Sequence, residues 1–115
     1  MLFLLSPAKK LDYDSPLAED YPFGQPLFVE QATELIEILK TKSEQDVADL
    51  MKLSENLALL NVERFQSWEP NFDQSNSRQA ILAFNGDVYE GLDAPTLDKS
   101  QLQWTNEHVL ILSGL

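Results

Sequence analysis

Leu2-Phe3-Leu4-Leu5-Ser6-Pro7-Ala8-Lys9-Lys10 is the stretch that decides the fold. A four-residue apolar run that breaks into turn residues reads as a short buried strand. Pro7 keeps Ser6 out of helical backbone, so the run ends there. Val109-Leu110-Ile111-Leu112 repeats the pattern at the far end and breaks into Ser113-Gly114. In an open α/β sheet, ligands bind in the crevice outside the carboxyl ends of the strands. Both strand ends here carry small polar residues, and the first adds two cations. A last strand with nothing after it makes the chain look like the front part of a longer protein.

Between the two runs the pattern is mostly helical. Pro16, Pro22, Gly24 and Pro26 mark residues 12–26 as a long loop, with Tyr13, Tyr21 and Phe23 as aromatics that could pin it to a core. A helix is expected from about Pro26 to Lys40, with Phe28, Ala32, Leu35, Ile36 and Leu39 on one face. A second starts at the N-cap Ser43, with Asp46 as its capping-box partner and Val47, Leu50 and Met51 as its stripe. A third runs from Ser54 to about Trp68 after a tight turn. Ile81-Leu82-Ala83-Phe84 reads as a third buried strand, broken by Asn85-Gly86-Asp87. A helical turn over 88–92 and a final helix from Asp98 or Ser100 complete the reading. Short apolar strands alternating with helices imply an α/β fold. The expectation is a short parallel or mixed sheet with flanking helices. Residues 1–115 are expected to form one domain, the N-terminal part of a larger α/β fold.

Composition excludes several classes. The chain has 115 residues, 43% hydrophobic and 23% charged, as an ordinary globular domain does. It has no cysteine, which removes disulfides, thiolate metal sites and a cysteine nucleophile. One histidine, His108, cannot build a usual zinc site, and direct iron binding is not expected. No metal or cofactor is therefore assigned. The leading apolar run is too short for a signal peptide, and no run is long enough to span a membrane. A cytoplasmic protein without a membrane partner is expected. The net charge is −11, with 5 basic and 11 acidic groups in the first 57 residues and 3 and 8 in the rest. An evenly acidic chain repels nucleic acid except where a local cluster such as Lys9 and Lys10 offers positive charge.

The residues that could carry chemistry gather at strand ends. Lys9 could hold a phosphate or carboxylate as a point charge, or be a solvated surface lysine. Gly86 would let backbone approach a ligand closely or turn sharply. Asp87 could be a base, a ligand contact or an N-cap, and the N-cap is its commonest use. Tyr89 could hydrogen-bond at the same mouth or pack with its hydroxyl at the surface. Ser6 lacks the surroundings of a nucleophile elbow. His108 near a helix end reads as structural. The helical pair at 43–68 could be a helix-hairpin-helix, whose hairpin amides touch DNA phosphates, but Leu53-Ser54-Glu55-Asn56 contains an acid and no glycine, so simple helix packing is the default.

Four blocks in register carry a family resemblance. They are Leu4-Leu5-Ser6-Pro7-Ala8-Lys9 with Leu11-Asp12, and Asn61-Val62-Glu63-Arg64-Phe65-Gln66 with Trp68. Arg78-Gln79-Ala80-Ile81-Leu82-Ala83-Phe84 with Gly86-Asp87-Val88-Tyr89, and Leu110 with Leu112-Ser113-Gly114-Leu115, complete them. The chain resembles the N-terminal portion of the YaaA family of peroxide-stress proteins. The resemblance implies a bacterial, cytoplasmic protein induced by hydrogen peroxide that limits unincorporated iron. It also implies double-stranded DNA binding by the complete protein, and a single α/β unit. Asn85 stands where the family usually has lysine, and Lys10 where it usually has threonine.

Two functional expectations follow, beside a third in which this stretch has no activity and is only a structural half. In the first, Ser6, Pro7, Lys9, Lys10, Asn85, Gly86, Asp87, Ser113 and Gly114 form a nucleic-acid cleft, with more positive charge supplied by the remainder of the complete protein. In the second, Lys9, Asp87 and Tyr89 act as catalytic groups of an enzyme on a small anionic or nucleobase-like substrate. An apolar strand edge over 109–112 is also expected to promote self-association.

Overall fold

The computed structural model describes residues 1–17 and 21–113. The chain divides into two compact units, one of residues 1–24 and 72–115, the other of residues 25–71. No described helix is long and apolar enough to cross a membrane.

The first unit contains two small sheets. Strand β1 (Phe3–Leu5) lies parallel to β4 (Val109–Ile111), with Phe3, Leu4 and Leu5 opposite Val109, Leu110 and Ile111. The Leu112 amide extends the ladder by donating to the Leu5 carbonyl at 2.9 Å. The two apolar runs therefore pair with each other, and their carboxyl ends lie side by side. Strand β2 (Lys10–Leu11) is antiparallel to β3 (Phe84–Asn85), with Lys10 opposite Asn85 and Leu11 opposite Phe84. The Asp12 amide continues this pairing to the Ala83 carbonyl at 2.7 Å. The architecture is mixed α/β.

Most of the strand expected over 81–84 is instead helix α4 (Ala80–Ala83). The Leu82 and Ala83 amides donate to the Gln79 carbonyl at 2.9 and 3.0 Å. A short buried apolar run satisfies its backbone equally well by a local turn, which periodicity alone does not distinguish from a strand. Only Phe84 and Asn85 remain extended and pair.

Helix α5 (Asp87–Leu92), a single 3-10 turn (Ala94–Thr96) and helix α6 (Lys99–His108) follow. Asp98 is the start of α6. Its carboxylate accepts from the Gln101 amide at 2.8 Å, and the Gln101 side chain accepts from the Asp98 amide at 2.9 Å. The buried cluster is Tyr21, Leu82 and Ala94. Tyr21 is thus the loop aromatic that anchors residues 12–26, while Tyr13 and Phe23 are 55% and 49% exposed. Side-chain amides of Gln74 and Gln79 fix the loop by donating to the Tyr21 carbonyl at 2.8 and 2.9 Å.

The second unit is three helices, α1 (Val29–Lys40), α2 (Glu44–Met51) and α3 (Glu55–Ser67). Helix α1 begins three residues after Pro26, because Phe28 supplies the first helical acceptor, taking the Ala32 amide at 2.9 Å. Ser43 and Asp46 form the expected capping box, and the Ser54 hydroxyl caps α3 through the Leu57 amide. Lys52 turns the chain between α2 and α3 in left-handed backbone, φ 55°. Helix α3 packs against both α1 and α2, and Val47 and Ala58 are fully buried. The expected α1 face is only partly covered: Ala32, Ile36 and Leu39 are half-buried, whereas Phe28 and Leu35 are exposed.

Candidate functional site

The turn after β1 and the turn after β3 meet within the first unit. Three contacts bring them together. The Tyr89 hydroxyl donates to the Ser6 carbonyl at 2.6 Å. Lys10 stands opposite Asn85 in the β2–β3 pair. A Cβ added at Gly86 would lie 3.3 Å from the Ala8 Cβ. Gly86 has extended backbone, φ −176° and ψ 177°, so its lack of a side chain serves close approach rather than an unusual dihedral.

Local sequence explains each placement. Pro7 interrupts β1 and lets the chain turn before β2. Phe84 ends the apolar run, Asn85 extends the pairing by one residue, and Gly86 ends it as the N-cap of α5. Tyr89 lies on the inner side of α5, 5% exposed, its ring 5.3 Å from that of Phe84. Burial pushes the Tyr89 phenol above its ordinary value. It is therefore a neutral donor at physiological pH, held on a backbone carbonyl. The sequence left open whether its hydroxyl faced the mouth or the surface; it locks the first turn to the second.

Lys9 and Lys10 are both exposed, and neither forms an ion pair among the described residues. Ser6 and Pro7 are exposed beside them, and Asn85 and Gly86 are half-buried. Asp87 is exposed but does not cap α5: Gly86 is the N-cap and Asp87 the first helical residue. Its carboxylate sits in the first turn, where the helix dipole favours negative charge. Ser113 is exposed just past the end of the β1–β4 pairing, at the same end as Ser6. Gly114 lies outside the described residues. His108 stacks on Trp104, with ring centroids 4.1 Å apart and planes 8° apart, and its Nδ1 lies 2.7 Å from the Trp104 carbonyl oxygen. That is the structural role expected of it.

Arg78 was not singled out from the sequence for a role of its own. Its guanidinium donates to the Ser15 carbonyl at 2.6 Å and to the Tyr13 carbonyl at 3.2 Å. The Asp12 carboxylate accepts from the Asp14 and Ser15 amides at 3.1 and 2.9 Å, an Asx turn. Hydrogen bonds from Ser15, first its side chain and then its amide, hold the Asp12 carboxyl below its ordinary value, with a smaller contribution from the Arg78 charge. A cleft of about 420 Å³ opens beside this turn, lined by Tyr13, Leu17 and residues 74–79. The Asp-x-Asp-Ser-Pro order was the available signal for the turn, but nothing in the spacing joined it to Arg78 some sixty residues away.

The arrangement presents two adjacent cations on a turn that a buried tyrosine and a close backbone crossing hold in place. Exposed ammonium groups of this kind are point charges that can pair with an anion. Similar sequences are found in the UPF0246 proteins of Bordetella avium (64% identical), Albidiferax ferrireducens (60%) and a Polaromonas species (59%). In each case the match runs over all 115 residues of this chain and 44% of the relative, so the chain spans less than half the length of these relatives. The sequence model of the family described as peroxide stress protein YaaA matches residues 1–115, and the chain belongs to that family.

Proposed function

We propose that the protein acts in the response to peroxide stress, and that the rim formed by Ser6–Lys10 and Asn85–Tyr89 holds nucleic-acid phosphates. The observation that carries this reading is the pair of exposed cations, Lys9 and Lys10, which make no ion pair among the described residues. In a chain of net charge −11, such a pair is a local exception to a repulsive field. Lys10 stands directly opposite Asn85, so the facing strand carries a cation beside the position where the family usually has one. Phosphate binding neutralises charge and releases counterions, and two lysines contribute only part of what a duplex requires. The sequence that the relatives carry beyond the matched stretch supplies the rest. Limitation of unincorporated iron is part of the same proposal as an indirect effect, because one histidine and scattered carboxylates do not make an iron site.

The test is a chimera in which this chain replaces the matched stretch of the Bordetella avium relative. In cells lacking that relative, the chimera is expected to restore survival in hydrogen peroxide and to lower unincorporated iron. The Lys9→Gln, Lys10→Gln form is expected to do neither. Equal protection by both forms would remove the rim from the function. The 115-residue chain by itself self-associates through the 109–112 strand, whose outer edge is unpaired among the described residues. A sedimentation coefficient that rises with concentration is the expected result, and a constant monomer value would refute it.

A further inference from the structure

The β1–β4 pair leaves one of its faces bare. Side chains alternate along a strand, and the register sets Phe3, Leu5, Val109 and Ile111 on one face, Leu4 and Leu110 on the other. Helix α6 lies over the first face. Its Trp104 ring is 6.4 Å from that of Phe3; Phe3, at the edge of that contact, keeps 45% exposure, while Leu5, Val109 and Ile111 are half-buried. On the second face Leu4 is 59% and Leu110 45% exposed. Leu2 and Leu112 continue the same alternation, at 62% and 55%. Neighbouring strands lie about 4.8 Å apart, so these leucines form one continuous apolar strip.

Parallel sheets are found almost exclusively with both faces covered, because their crossover connections lay helices on them. A three-residue parallel pair covered on a single side is therefore half of a layered arrangement.

We propose that the Leu2, Leu4, Leu110, Leu112 face seats an amphipathic helix from the polypeptide that the relatives carry beyond the matched stretch. Two observations select this occupant. More than half of each relative's length lies outside the match, so ample polypeptide is at hand. The opposite face already carries a helix, and a second helical layer is what a parallel pair takes. Two copies meeting leucine face to leucine face would instead stack a pair of two-stranded sheets, an arrangement that parallel pairs rarely adopt. The inference is separate from phosphate binding, because none of the four leucines belongs to the turns at 6–10 and 85–89.

The absence of cysteine from the chain makes a direct test available. Leu4→Cys and Leu110→Cys are each introduced into the 115-residue chain and into the Bordetella avium chimera. Reaction with a thiol reagent is followed peptide by peptide at concentrations where sedimentation gives a monomer. Rates in urea set the intrinsic reactivity, and circular dichroism confirms that each variant is folded. At least tenfold slower labelling in the chimera than in the isolated chain is expected at both positions. Equal rates at both positions would overturn the proposal. In the chimera, Leu110→Cys carrying a photoreactive maleimide is expected to cross-link to residues of the relative's portion spaced three and four apart. Cross-links spaced two apart, or only to a second copy, would overturn it as well.

Discussion

The hydroxyl of Tyr89 donates to the carbonyl of Ser6 at 2.6 Å, across 83 residues of sequence. This bond fixes the turn that displays Lys9 and Lys10 against the start of α5. Phenylalanine at this position keeps the ring packing against Phe84 and loses only the donor. Tyr89→Phe is expected to cost about 1 kcal/mol, the usual net worth of such a bond. Urea denaturation should show a lower midpoint with an unchanged slope. An unaltered midpoint would mean that the bond does not hold the turn.

Gly86 and Ala8 cross so closely that a methyl group at Gly86 would sit 3.3 Å from the Ala8 Cβ. Gly86→Ala pushes the two turns apart by a few tenths of an ångström and is expected to destabilise by about 1 kcal/mol, as small overpacking does. Ala8→Gly removes the facing methyl. Combined with Gly86→Ala it should recover most of the loss, a coupling visible in a double-mutant cycle. Strictly additive effects would contradict the crossing.

Acid sensitivity follows from the Asp12 turn. Its carboxyl is held below its ordinary value of 3.8 by hydrogen bonds from Ser15. A depressed folded-state value adds stability that is complete above the unfolded value and is lost as pH falls through the folded one. The loss therefore begins near pH 4 and continues below it. Asp12→Asn should show a smaller difference in denaturation midpoint between pH 7 and pH 3 than the parent chain. Asp46 and Asp73 are lowered in the same way, so some acid sensitivity should survive. An identical pH dependence in the variant would rule out the Asp12 contribution.

Asn85 lies opposite Lys10 on the neighbouring strand. A lysine there would place a third cation at the rim. Asn85→Lys in the chimera should bind duplex DNA more tightly and with a steeper salt dependence, by about one unit of slope per added phosphate contact. No change in either quantity would separate the rim from DNA.

Much of this was legible in sequence because local rules agree with the fold. The runs 2–5 and 109–112 read as strands and pair in parallel. Ser43 and Ser54 read as helix starts and Asp98 as one of two candidates, and each of the three side chains accepts a first-turn amide. The meeting of the two turns was legible only through strand ends and the family resemblance. Ile81–Phe84 misled because four apolar residues carry no period. Asp87 misled because Gly86, with no side chain, took the cap position. The exposure of Phe28 and Leu35 was hidden because a helical stripe declares an apolar face but not what covers it. The Arg78 contact was missed because it is purely tertiary, whereas the Asp12 turn is local and had a signal in its Asp-x-Asp-Ser-Pro order.

The most direct test of the account is the salt dependence of duplex DNA binding by the chimera, with and without Lys9→Gln and Lys10→Gln. Removing both lysine charges from the phosphates they neutralise should reduce the slope of log K against log salt by about two and weaken binding at every salt concentration. Superimposable lines for the two proteins would show that the rim between Ser6 and Tyr89 does not hold phosphate.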